Sequence, residues 1–417
     1  MERRKLIRNL TGLGILGGLF VTKMSIGSPR TDGSQINDWN TELTKRIAAL
    51  VDCGGGTLEL GDGVYEISKP LLLPNSVSLV MTPCAVIRAR DGFEGDAVII
   101  KGGGEAKSSK FSHTGGWIRG GVIDGGSQPL TGLRVESVGR LEIADLVVLN
   151  ATYKGIHCTS NGYETNCSRV RCDVDLKTRY APGSIGIHYE RNDCIVNLAH
   201  IIGYETGLRT DGSTNFFTGI HVWNLDPDQG PMLYCFYING AACTFNQCYA
   251  DSPTLAGFYI TRPHQSIAQC RVFFSRWAKD NSGAGFLITP EGKQGNHIEG
   301  NVLFADPKHR LAKAFDGELG GSIILGNSCW GSNVLGGMEN RIPSGELLES
   351  SKFGTQQTSS FEYPRLNLAG TGFRMTQQTK PPLPEEGELG EVRWVDDGNT
   401  SALWVMTTSG WKQSKLL

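Results

Sequence analysis

The sequence predicts an all-β fold, a right-handed parallel β-helix with an N-terminal capping helix and a small C-terminal β module. Three observations predict it. First, one short phrase returns between 131 and 298: a glycine, an apolar residue, any residue, then in most copies another apolar or thiol residue. It reads Gly132-Leu133-Arg134-Val135, Gly155-Ile156-His157-Cys158, Gly186-Ile187-His188-Tyr189 and Gly207-Leu208-Arg209-Thr210. Cys235-Phe236-Tyr237-Ile238, with Cys in place of Gly, Gly257-Phe258-Tyr259-Ile260 and Gly285-Phe286-Leu287-Ile288 follow. The starts lie 23, 31, 21, 28, 22 and 28 residues apart, the self-similarity of a solenoid. Second, most copies are followed by a short apolar run with period-two alternation, such as Leu141 to Val148, Phe216 to Val222 and Ile267 to Val272, which reads as strand. Third, 55 of the 417 residues are glycine, and Asn, Asp, Gly and Ser fill the gaps as turns require. No segment of this stretch has helical periodicity of useful length. Each return path is therefore another strand, and coils stack one on the next.

The chain opens with Arg3-Arg4-Lys5-Leu6-Ile7-Arg8 and a glycine-rich apolar run from Leu10 to Val21. This resembles a twin-arginine export signal, with Ser25-Ile26-Gly27 as a weak cleavage site; the run is short for a membrane span. The alternative is a basic N-terminal segment that anchors to a larger assembly. From Asp38 to Cys53, Trp39, Leu43, Ile47 and Leu50 share one helical face, and Asp38 stands at the cap position. The open end of a stacked solenoid needs a cap, and this helix is placed to be it. Thr57 to Leu60, Gly63 to Ile67, Pro70 to Pro74 and Val77 to Val80 then read as strands.

This opening resembles the pectate-lyase-like superfamily: a helix, then Gly-Gly-Gly-Thr-Leu-Glu-Leu, Gly-Asp-Gly-Val-Tyr-Glu-Ile and Leu-Leu-Leu-Pro-Asn-Ser-Val-Ser-Leu. The resemblance runs over roughly Trp39 to Asn301. It implies the β-helix, and it implies action on polysaccharides, because the superfamily holds polysaccharide lyases, polygalacturonase-like hydrolases and phage tailspike depolymerases. It does not fix the reaction, since the fold hosts several chemistries.

Beyond Leu311 the pattern loosens, with one further coil at Ser322 to Asn327. The expected organisation is an export-like or anchoring segment at 1–36, the β-helix at 37–343, a linker region at 344–384 and a Trp-containing module at 385–417. Pro381-Pro382-Leu383-Pro384 is a stiff spacer. Gly390 to Val395 and Ala402 to Thr407 around Asp396-Asp397-Gly398-Asn399 give a hairpin signal. Trp394, Trp404 and Trp411 read as the small core of this unit. The module looks like those that end many tailspikes, which implies a homotrimer, with the N-terminus as the attachment to a phage tail.

The net charge of −2 argues against a nucleic-acid partner. None of the eleven cysteines forms a C-x-x-C pair, so zinc and thioredoxin readings lack support; Cys158, Cys194, Cys235 and Cys270 read as small buried hydrophobes. No cofactor and no metal site is expected, and consecutive outward positions hold no calcium-like acidic cluster. Gly102-Gly103-Gly104 is not a phosphate loop. Asp124 and His264 read as turn and loop residues.

Side chains alternate across a strand, so the third residue of each phrase faces out. That column is Arg134, His157, His188, Arg209, Tyr237, Tyr259 and Leu287. Two residues on, a second column reads Glu136, Thr159, Glu190, Asp211, Asn239, Thr261 and Thr289. Stacked at about 4.8 Å, they form one long polar and aromatic seam suited to an extended glycan. Glu190 and Asp211, with His188 and Arg209, are the catalytic candidates. A retaining pair of carboxyls lies about 5 Å apart, and close like charges raise one pKa, as a general acid needs. An inverting pair would draw on Glu136 or Glu190 with Asp226 or Asp228. The structural alternative pairs Glu190 with Arg209. Substrate-binding candidates are Arg134, Glu136, His157, Tyr237 and Tyr259. The expected function is an endo-acting depolymerase of bacterial capsular or exopolysaccharide, by glycoside hydrolysis. The rival chemistry is elimination from a uronate, with His157 or His188 as base, Arg209 on the carboxylate and Tyr237 as acid. A non-catalytic spike or glycan binder is the third reading.

Overall fold

A computed structural model describes residues 23–26, 38–102, 116–160, 162–175, 178–224, 230–275, 283–305, 313–330, 377–378, 392–396, 401–407 and 410–415. The chain divides into two compact units, 1–364 and 365–417. The first is a right-handed parallel β-helix of three sheets. Sheet 1 has twelve strands, from Lys23–Ile26 to Ile323–Leu325. Sheet 2 has eleven, from Gly63–Ile67 to Ser328–Trp330. Sheet 3 has ten, from Leu71–Pro74 to Lys313–Gly317, and carries all seven phrases.

The phrase glycine is a matter of space at the corner where a strand of sheet 3 begins. A Cβ on Gly207 would lie 2.1 Å from Val222 Cγ1, and one on Gly186 would lie 2.1 Å from Ile201 Cγ2. The obstruction is each time the central inward residue of the sheet 2 strand in the same coil; Val148, Cys172, Val272 and Leu303 play the same part for Gly132, Gly155, Gly257 and Gly285. Where Cys235 replaces the glycine, that central residue is Ala250, which pairs with Val222 and Val272 on the neighbouring coils. The one larger residue in the phrase meets the one smaller residue opposite it.

Between sheets 1 and 2 the chain turns on two residues, the first in the left-handed region. Asp145, Arg169, Leu198, Gln247 and Gln269 hold φ between 52° and 56° there, and Gly219, Gly300 and Gly326 occupy the same corner. The interior is a pile of like residues. Phe236, Phe258, Phe286 and Phe315 stack in succession with centroids 4.7, 5.2 and 5.0 Å apart. All ten described cysteine side chains are free thiols, and eight of them, including Cys158, Cys194, Cys235 and Cys270, are buried.

The corner after sheet 3 is polar and buried. Arg191 is 1% exposed and donates to the carbonyls of Val135, Val138 and Thr159 and to Thr165 Oγ1. Asn215, Gln265 and Asn296 each accept a backbone N–H from the neighbouring coil through their side-chain carbonyl. Arg191 thus satisfies turn carbonyls, and the three amides satisfy turn N–H groups, that burial would otherwise leave unpaired.

The helix spans Asn40–Asp52 and buries Leu43, Ile47 and Leu50. Its N-cap is Trp39, but Asp38 Oδ1 accepts the Asn40 N–H at 3.0 Å. Lys23–Ile26 forms an edge strand paired with Gly56–Leu60, and Lys23 meets Glu59 at 2.6 Å. Ser25 and Ile26, expected beside a cleavage site, belong instead to that strand, so the export reading finds no support; residues before 23 lie outside the described ones. Among the described residues no helix is long and apolar enough to cross a membrane. The loosening past Leu311 hides one more sheet 3 strand, Lys313–Gly317.

The second unit holds a four-stranded sheet. Val392–Asp396 pairs antiparallel with Ser401–Thr407, which pairs antiparallel with Gly410–Lys415. Most of the expected linker, the Pro381 to Pro384 spacer, the turn at 397–400 and the side chains of Trp394, Trp404 and Trp411 lie outside the described residues.

Candidate functional site

The outer face of sheet 3 brings the predicted columns into register. Arg134 pairs with His157, His157 with His188, His188 with Arg209, Arg209 with Tyr237, Tyr237 with Tyr259 and Tyr259 with Leu287. Seven rungs at this spacing span about 29 Å.

The centre of the seam is a hydrogen-bonded chain. Asp211 Oδ2 lies 2.6 Å from His188 Nε2. His188 Nδ1 lies 3.1 Å from Lys154 Nζ. Lysine only donates here, so Nδ1 accepts and Nε2 carries the proton given to Asp211. Asp211 also receives Arg209 Nε at 3.0 Å and Asn239 Nδ2 at 2.8 Å. Beside this chain, His157 Nε2 donates to Glu190 Oε1 at 2.9 Å, and the Ser160 N–H reaches Glu190 Oε2. The His157 and His188 rings stack in parallel, centroids 4.8 Å apart.

This arrangement corrects three expectations. Arg209 pairs with Asp211 and not with Glu190. Neither carboxyl is raised. Burial works against the charged form of both, but hydrogen bonds from His188, Arg209 and Asn239 hold Asp211 far below the carboxylate range. Hydrogen bonds and charge from His157, with His188 and the Ser160 N–H, also hold Glu190 low. Both groups are therefore anchored anions, and the pair offers no protonated general acid. His188, expected on an open seam, is only 5% exposed.

Burial, followed by the nearby Lys154 charge, lowers His157 to about 4 against its bond to Glu190. Burial is also the main cause that lowers His188. Both imidazoles are neutral at ordinary pH.

Arg134 is tied to Asp96 at 3.2 Å and to Glu136 at 3.7 Å, and Lys101 also faces Glu136. Tyr237 and Tyr259 meet edge-on at 4.9 Å. Arg209 lies 4.8 Å over the Tyr237 ring, and Tyr234 stacks on Tyr259 at 4.7 Å, so one face of each ring is already covered. Of the second column, Thr159 turns its hydroxyl to the Val135 carbonyl and is buried. Asp124 accepts from Arg88 and from the Gly126 N–H, a turn role. Asp226 and Asp228 lie outside the described residues.

Sequence reasoning missed Lys154 and Asp96. Lys154 precedes the second phrase glycine, in register with Thr131 and Ile185. On the coils above, that column runs on through Thr206, Tyr234, Ala256 and Ala284 to Lys313. A cation in the middle of the sheet, where the column holds apolar or hydroxylic residues on every rung from Ile185 to Ala284, was the available signal.

One atom each of His157, His188 and Glu190 lies within 4.8 Å of the others, the donor set of a transition-metal ion. Lys154 Nζ already engages His188 Nδ1, the ring nitrogen that lies 3.7 Å from Glu190 Oε1.

No protein-family model matches the sequence, and no curated protein matches it. Solved structures do match. A mutant tailspike protein of E. coli bacteriophage HK620 in complex with pentasaccharide is 12% identical with a TM-score of 0.52, over 71% of this chain and 60% of that one. The Geobacillus virus E2 ORF18 protein is 14% identical with a TM-score of 0.47, over 72% and 59%. The mannuronan C-5 epimerase AlgE4 A-module of Azotobacter vinelandii is 12% identical with a TM-score of 0.44, over 74% and 99%. The chain thus spans about three fifths of the two phage proteins. At this identity the likeness shows the fold, a right-handed parallel β-helix.

Proposed function

We propose that this protein is a polysaccharide-processing enzyme that cleaves an acidic glycan along sheet 3 by elimination. One observation carries the reading: the seam centre pairs neutral imidazoles with two carboxylates that are both held ionised. Glycoside hydrolysis by two carboxyls needs one of them protonated. Elimination needs a neutral base, a cation for the uronate carboxylate and a proton donor for the leaving oxygen. His157 is a neutral base on the seam. Arg209 uses its Nε and Nη2 for Asp211, which leaves its Nη1 side for a substrate carboxylate. Tyr237 sits under that guanidinium with its hydroxyl as the donor.

The HK620 tailspike, solved in complex with a pentasaccharide, supports a glycan ligand for a chain of this fold. A capsular or exopolysaccharide substrate, a place in a phage tail and a homotrimer belong to the same reading. Incubation with a panel of bacterial capsules and uronate polymers tests it. Shortened chains whose new unsaturated ends absorb in the short-wavelength ultraviolet are the expected result. Bound but uncut polymer would instead mark a binding protein, and light scattering showing a monomer would remove the trimer.

A further inference from the structure

Lys154 is only 8% exposed, and among the described residues no carboxylate pairs with it. Its amine instead meets His188 Nδ1 at 3.1 Å, and His188 is oriented by Asp211 at 2.6 Å. A reactive group, a base within hydrogen-bond reach and a third group that orients the base is the general layout of an activated side chain. We propose that Lys154 Nζ is the group that takes the proton from substrate, with His188 and Asp211 as its positioning residues. The proposal rests on the eliminative reading above and names the group that His157 would otherwise have to be.

Three features fit. Lys154 lies on the seam face, one rung from His188 and two from Arg209, the proposed carboxylate ligand. A buried amine sheds its proton more readily than an exposed one. Burial is the largest influence on Lys154 and lowers it, helped by Arg209 and Arg134 and opposed by Glu190 and Asp96. The other groups facing it, His157 and His188, are neutral. Once its extra proton has gone to solvent, the amine donates one N–H to His188 and has its lone pair for substrate.

In the step, the Lys154 lone pair takes the hydrogen on the carbon beside the uronate carboxyl. The C–H electron pair becomes the C=C bond as the neighbouring glycosidic C–O bond breaks. The leaving oxygen keeps that bond's electrons and takes a proton from the Tyr237 hydroxyl. The Lys154 ammonium passes its extra proton to His188 Nδ1, where Asp211 balances the imidazolium, and one proton returns through solvent to Tyr237.

Titration of protein carrying carbon-13 at lysine Cε, read by NMR with the Lys154 signal assigned through Lys154→Arg, tests this without a substrate. Lys154 is expected to titrate below the other lysines and to shift in His188→Gln. A Lys154 signal that titrates with the exposed lysines would overturn the proposal. On a cleaved polymer, Lys154→Met is expected to lower turnover by about 100-fold or more while oligosaccharide binding persists. Eliminative products at undiminished rate from Lys154→Met would overturn this inference alone. Hydrolytic products would overturn both it and the reading beneath it.

Discussion

Asp211 and His188 sit on adjacent coils of one sheet, joined by a 2.6 Å bond between Oδ2 and Nε2. The bond fixes which nitrogen of His188 faces Lys154. Asp211→Asn keeps the shape and removes the charge that holds the imidazole in that state. Turnover is expected to fall by about 10²- to 10⁴-fold with the fold retained. Thermal unfolding and steady-state rates on one preparation check it; unchanged turnover would leave Asp211 a structural anion.

The stacked imidazoles make stability pH-dependent. His157 is lowered in the folded state to about 4 from 6.5. The unfolded chain therefore binds its proton first as pH falls, and stability drops as pH goes from about 6.5 to about 4. His188 is displaced in the same direction. The cost from His157 alone is on the order of 3 kcal/mol at the acid end. Urea midpoints across that range should fall for the natural protein and fall less for His157→Gln. A flat profile in both proteins would contradict the burial argument.

Cys235 and Ala250 are predicted to be coupled. Ala250→Val fills the space that Cys235 uses and should cost about 1–3 kcal/mol. Cys235→Gly leaves a small void. The double variant restores the combination of glycine and valine found in the neighbouring coils, so the two losses should not add, with a coupling of about 0.5–3 kcal/mol. A double-mutant cycle on unfolding free energy reads it, and additive losses would refute the size match.

Leu198 pays for its place in the corner between sheets 1 and 2. It is 57% exposed with φ 55°, a region that costs an L-residue about 1–2 kcal/mol. Leu198→Asn should raise the urea midpoint by an amount worth about 0.5–1 kcal/mol, because asparagine tolerates that region better. A lowered midpoint would mean that Leu198 makes contacts worth more than the strain.

The β-helix was legible because its cause is local. The phrase glycine answers a single inward side chain, Val222 in the case of Gly207, and repeats wherever that contact repeats. Register followed from the same repeat, which is why Arg134 through Leu287 could be aligned from sequence alone. Charge pairing was not legible, because it depends on which neighbour each long side chain chooses. Arg209 turns to Asp211, two residues further along its own strand end, instead of reaching across a coil to Glu190. Lys154 escaped notice because it stands before the phrase, outside both columns, and enters the site only by spanning one rung. The strand Lys23–Ile26 was obscured by its position beside a basic, apolar opening that reads as a signal.

The reaction itself is tested most directly by cleaving a susceptible polysaccharide in water enriched in oxygen-18 and weighing the fragments. Elimination predicts no heavy oxygen fixed at cleavage and one unsaturated end per cut. Fragments that each gain one heavy oxygen at the new end, with no unsaturation, would contradict the account.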